Sequence, residues 1–172
     1  MKKKKALFPV QAAVIAALYA LLTLLLWEFS SAGIQLRVSE ALCVLPAFTP
    51  AAIPGLFIGC VLGNLIGGNW MDVLFGSLAT LLAALGTAAL GKIGKPHLRR
   101  LLLPLPAVLC NAAILPFVLT YGYGLRPEGA AGIPALGFYA LTIAAGEAIV
   151  CYGLGIPLQL LLEKHGNKLG LG

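Results

Sequence analysis

The feature that most constrains this chain is where its charges are absent. Uncharged, mostly apolar runs of 22, 31, 19 and 25 residues span 6–27, 41–71, 73–91 and 101–125. About 20 such residues in a helix cross a hydrocarbon core, so these runs have the length of membrane spans. A fifth apolar stretch, from about Gly129 to Leu162, is interrupted by Glu147 alone. With 60% apolar and 10% charged residues, the chain departs from a soluble domain, where about a quarter of residues are charged. The 172 residues read as one polytopic, all-α membrane domain covering 1–172.

The basic excess of twelve Lys and Arg over six Asp and Glu does not point to nucleic acid. Lys2 to Lys5, the group Lys92, Lys95, Arg99 and Arg100, and the pair Lys164 and Lys168 flank hydrophobic runs and form no polar face interleaved with aromatics. They report orientation. If all three clusters face the cytoplasm, the number of crossings between Lys5 and Lys92 is even, so the run 41–71 crosses twice. Pro46, Pro50 and Pro54 interrupt it near the middle, where proline blocks a continuous helix. The expectation is six transmembrane helices, near 6–28, 36–49, 52–68, 71–91, 101–122 and 134–162, with N and C termini cytoplasmic. Only Arg37 and Arg126 oppose the charge rule. The first segment exceeds the apolar core of a signal peptide and reads as retained. Two arms of about 15 residues reach only about 22 Å. Either Ile34 to Glu40 extends the first arm, or the arms end at a cavity; both put Arg37, Ser39 and Glu40 beside an outward-opening site.

Gly55, Gly59, Gly63 and Gly67 recur every four residues and give one helix face a groove for close packing. Ala12, Ala16 and Ala20 form a stripe on the first helix, with Ala13 and Ala17 beside it. Cys43, Cys60, Cys110 and Cys151 lie inside apolar runs without metal-ligand spacing and read as packing residues. Gly86 to Lys92 mimics a phosphate-binding loop, but Ile93 stands where Ser or Thr is required. His97 and His165 have no orienting carboxylates. There is thus no case for an enzyme, a metal site or a bound cofactor.

Glu147 falls mid-membrane, where a carboxylate costs a few kcal/mol unless it meets a partner or ligand. Asn111 and Asn64 add amides that both donate and accept. Toward the outer face lie Gln35, Arg37, Ser39, Glu40, Asn69, Trp70 and Asp72. Arg37 and Glu40 could simply pair with each other, and Asp72 could simply complement a helix N-terminus. Together these groups suit a small polar, aromatic solute.

The stretches Ile34 to Leu42, Phe48 to Gly55 and Asp72 to Thr80, with Pro104 to Asn111 and Gly146-Glu147, resemble the QueT family of queuosine-precursor transporters over nearly the whole chain. The resemblance implies a substrate-binding S component of an energy-coupling factor transporter, a multi-pass cell-membrane protein. Its partners would be a transmembrane coupling subunit and two ATP-binding subunits, with an A-x-x-x-A docking pattern at Ala12, Ala16 and Ala20 or at Ala13 and Ala17. The implied ligand is queuine or a related 7-deazaguanine. One carboxylate would accept from its guanine-like edge, Asn111, Asn64 or Arg37 would donate to its carbonyl, and Trp70 or a tyrosine would stack on the ring. A second carboxylate suits its amine. Glu147 and Glu40 take those roles in either order, with Asp72 in reserve. The alternatives are an S component for another vitamin and a stand-alone secondary carrier; no inverted repeat supports the carrier.

Overall fold

A computed structural model of the chain describes residues 2–26, 36–68, 70–126 and 134–166. All regular structure among them is helical. Helix α1 spans Lys2–Leu25, a 3₁₀ helix spans Val38–Ala47, and α2 spans Ala52–Ile66. A π turn at Asp72–Gly76 leads into α3, Ser77–Leu90. Helices α4 (Pro96–Leu102) and α5 (Leu105–Phe117) follow, α5 ending in a second π turn at Val118–Gly122. Helices α6 (Ala135–Gly153) and α7 (Gly155–His165) complete the fold.

Four stretches are long and apolar enough to cross a membrane: Leu7–Leu25, Asp72–Leu90, Pro96–Gly122 and Ala135–His165. The 3₁₀ helix and α2 are shorter apolar helices. Their outer surfaces carry Leu, Ile, Val and Phe side chains because the solvent there is hydrocarbon, so burial of apolar groups does not distinguish inside from outside. What does distinguish the interior is polarity: Glu40, Asn64, Thr80, Thr87, Asn111, Glu147 and Gln159 are all fully enclosed.

The expected helix 36–49 is corrected in kind. Its ten residues, Val38–Ala47, wind as 3₁₀, with a rise of about 2.0 Å per residue, so the arm reaches about 20 Å where an α-helix of that length reaches about 15 Å. Pro46 sits inside it, and the chain turns through Phe48 to Ala51 into α2. Two expected single helices are also interrupted. The segment 101–122 is preceded by the separate helix α4 and broken at Leu103 and Pro104, where Pro104 and Pro106 supply no N–H to the preceding turn. The segment 134–162 breaks at Leu154, because Pro157 cannot donate to the Gly153 carbonyl.

Helices α1 and α2 make the closest contact. A Cβ placed at Gly55 would stand 2.9 Å from the Ala12 carbonyl oxygen, and at Gly63 3.0 Å from Thr23 Cβ. At Gly59 it would stand 2.7 Å from both the Ala16 carbonyl oxygen and Tyr19 Cβ. The four-residue glycine spacing thus lets backbone meet backbone. This contact also separates the two alanine registers. Ala16 and Ala20 are buried and Ala12 is half-buried against α2, whereas Ala13 and Ala17 are exposed.

At the opposite end of the arm, a Cβ at Gly91 would lie 2.8 Å from Ala47 Cα, so the 3₁₀ terminus and the α3 terminus meet. Arg99 lies over the Phe48 ring at 6.0 Å. Glu163 on α7 takes Arg99 Nη2 at 2.8 Å and Arg100 Nη2 at 2.6 Å. The ends of the 3₁₀ arm, α3 and α7 and the short α4 are therefore gathered on one side of the molecule.

Candidate functional site

The polar interior is organised by the 3₁₀ arm. With three residues per turn, side chains at i and i+3 eclipse. Glu40 and Cys43 consequently stack along one inward edge, and Arg37, the residue just before the first turn, is buried ahead of them. An α-helix would swing Cys43 about 60° away from Glu40.

Glu40, fully buried, is well supplied with donors. The Tyr19 hydroxyl from α1 donates to its Oε1, the Thr80 hydroxyl from α3 donates to the same oxygen at 3.1 Å, and the Cys43 thiol lies 2.7 Å from Oε2. One carboxylate therefore ties α1, α3 and the 3₁₀ arm together. A buried carboxylate with several donors offsets much of its desolvation cost.

Glu147 on α6 is 1% exposed and less well supplied. Asn111 Nδ2 from α5 donates to its Oε1 at 3.1 Å. Its Oε2 has the weak thiol of Cys151 at 3.6 Å. The same sulfur lies 3.6 Å from the Glu40 carbonyl oxygen. Asn111 Oδ1 is buried with no hydrogen-bond partner among the described residues. The Glu147–Asn111 pair thus presents acceptors in excess of donors, an arrangement that an N–H-rich ligand edge would satisfy.

A second layer surrounds Arg37. Its Nη2 pairs with Asp72 Oδ2 at 3.0 Å, both side chains about one-tenth exposed. Asn64 Nδ2 donates to the Asp72 carbonyl at 3.2 Å and lies 3.3 Å from Cys60 Sγ. Gly76, at the end of the π turn, leaves room for both: a Cβ there would meet Arg37 Nη1 at 3.4 Å and Asn64 Nδ2 at 3.5 Å. Arg37 pairs with Asp72 and makes no side-chain bond to Glu40, although the two are three residues apart.

Of the expected site residues, Glu40, Glu147, Asn111, Arg37, Asp72 and Asn64 are all buried, in these two layers. Trp70 is 74% exposed and stands outside them. Gln35 and Asn69 lie outside the described residues. The sequence reading missed Tyr19 and Thr80, and it took the cysteines for packing alone. Cys43, Cys60 and Cys151 are indeed buried, yet each sulfur lies against a polar partner. A tyrosine in the middle of an apolar span was the available signal for Tyr19, since a buried phenol needs a partner.

The QueT transporter family model matches residues 9–164. The chain belongs to the QueT transporter family. The matched span contains every residue of both polar layers, and this QueT-family protein, with four long apolar helices, is a multi-pass membrane protein. It is also 41% identical over 83 residues to the queuosine precursor transporter QueT of Lactococcus lactis subsp. cremoris (strain MG1363), a stretch that covers 47% of this chain. That match spans about half the length of the curated relative, 49%. No solved structure matches the chain at a significant level.

Proposed function

We propose that this QueT-family protein captures queuosine precursors, queuine or related 7-deazaguanines, as the S component of an ATP-driven energy-coupling factor importer. The observation that carries the reading is the fully buried Glu147–Asn111 pair within the span matched by a transporter family. A 7-deazaguanine offers adjacent N–H donors on its pyrimidine edge and a carbonyl beside them. Glu147 accepts from that edge, and the Asn111 amide serves the neighbouring group. Glu40, whose oxygens already accept from Tyr19, Thr80 and Cys43, holds three elements in register and sets the floor of the site. Asp72 stays with Arg37, which forms the outer wall with Asn64.

The six-crossing topology with cytoplasmic termini belongs to the same reading. Four long spans plus two shorter apolar helices supply six segments, and the gathering of Phe48, Gly91, Arg99 and Glu163 on one side supports an even count between the basic clusters. The coupling subunit docks on the exposed Ala13 and Ala17, because the Ala12, Ala16 and Ala20 register is taken up by α2.

Calorimetric titration of purified protein with queuine, the aminomethyl and cyano 7-deazaguanines, guanine and riboflavin tests substrate identity. Binding of deazaguanines, and its weakening by Glu147→Gln, is expected. Equal binding of guanine with no effect of that substitution would sink the site assignment. Uptake into vesicles holding this chain alone would sink the ATP-driven reading.

A further inference from the structure

Cys151 sits one helical turn beyond Glu147 on α6, and its sulfur is equidistant, at 3.6 Å, from two acceptors: Glu147 Oε2 and the Glu40 carbonyl oxygen on the 3₁₀ arm. A thiol carries one proton and donates weakly. It can therefore serve one of these acceptors at a time. The other carboxylate oxygen, Glu147 Oε1, already has the Asn111 amide, so Oε2 is the oxygen whose partner is easiest to displace. Asn111 Oδ1, on the side chain bonded to Glu147, is also buried and has no partner among the described residues, a second acceptor that they leave unmet.

We propose that Cys151 is a positioning residue that holds the place of the ligand. In the empty site its thiol donates to Glu147 Oε2. When a ligand N–H takes that oxygen, the thiol proton turns to the Glu40 carbonyl, so the thiol itself has an acceptor in either state. A weak donor is the right one for this task, since a hydroxyl or amide would compete more strongly with the ligand. The proposal rests on the assignment of Glu147 as the ligand carboxylate. It adds that the thiol stabilises the empty state more than the occupied one, because an unmet carboxylate oxygen costs more than an unmet carbonyl.

The consequence runs against the usual effect of truncating a site residue. Cys151→Ala removes the placeholder, so the aminomethyl 7-deazaguanine binds about three- to tenfold more tightly, while the empty protein melts at a lower temperature. A thiol that only fills space would give weaker or unchanged binding. The second readout needs no substitution at position 151: the infrared S–H stretch of the wild-type protein, recorded with and without ligand, with Cys43→Ala and Cys60→Ala subtracting the other two thiols of the cluster. Transfer from a carboxylate to a neutral carbonyl weakens the hydrogen bond and moves the Cys151 band to higher frequency. Unchanged or weaker affinity in Cys151→Ala, or a band that does not move on binding, overturns the placeholder while Glu147→Gln still weakens binding. A wild-type protein that binds no 7-deazaguanine overturns the functional reading and the placeholder together.

Discussion

Gly59→Ala asks one methyl group to enter the contact between α1 and α2. The added carbon would stand 2.7 Å from the Ala16 carbonyl oxygen, 2.7 Å from Tyr19 Cβ and 3.0 Å from Ala16 Cα. Carbon contacts settle at about 3.5–4.0 Å, so α1 must retreat by about 1 Å. None of these atoms is the tip of a flexible side chain that could turn aside. Overpacking of this kind costs about 1–3 kcal/mol. The retreat also draws the Tyr19 hydroxyl from Glu40, which costs about another 1–3 kcal/mol at a buried carboxylate. Alanine recovers up to about 1 kcal/mol of helix propensity, leaving a net loss of about 1–6 kcal/mol. Thermal unfolding in detergent measures the loss, and a cycle with Tyr19→Phe apportions it. Phenylalanine keeps the Cβ and removes the hydroxyl, so Gly59→Ala should cost less in its presence. Gly153→Ala, where an added Cβ meets nothing within 4 Å, is the control and should be neutral or slightly stabilising. Wild-type stability in Gly59→Ala, or strict additivity with Tyr19→Phe, would refute the coupling of the glycine groove to the site.

The two buried glutamates separate by phenotype. Glu147→Gln should weaken 7-deazaguanine binding about ten- to hundredfold by calorimetry with little change in melting temperature, whereas Glu40→Gln should lower the melting temperature because the charge shared by three donors is lost and one of its two accepting oxygens becomes an NH2 donor facing a donor. Ala17→Leu should abolish co-purification with a coupling subunit and keep ligand affinity, while Ala16→Leu should destabilise the protein itself, since Ala16 packs on Gly59. Arg37→Met leaves Asp72 without its guanidinium and should cost about 3–5 kcal/mol in thermal unfolding.

Much of the fold was legible because the bilayer imposes a length on apolar runs, and the glycine spacing in α2 named its own packing face. Glu147, Asn111 and Glu40 stood out for the same reason: polar groups in hydrocarbon are expensive enough to be conspicuous. What could not be read was anything that depends on rotation. Ala16 and Ala17 differ by 100° about the helix axis and by nothing in composition, so only the contact with Gly59 tells which one faces inward. A 3₁₀ arm and an α-helix bury the same residue types, and hydropathy cannot choose between them. The break at Leu154 had a visible cause in Pro157, but membrane helices often tolerate proline, so its presence alone did not dictate a break. Trp70 was grouped with the site by its position in the chain, and position does not say which way a side chain points.

The 3₁₀ arm makes the spacing of Glu40 and Cys43 a ruler with no slack. Each residue advances the chain by about 120°, so one residue inserted or deleted between Glu40 and Cys43 turns everything before it by a third of a circle. Such a change would aim the Glu40 carboxylate away from Tyr19 and Thr80 while Cys43 still met its neighbours. Length variation among related chains should therefore fall before Arg37 or after Ala47, and the interval between them should be kept even where its residues change.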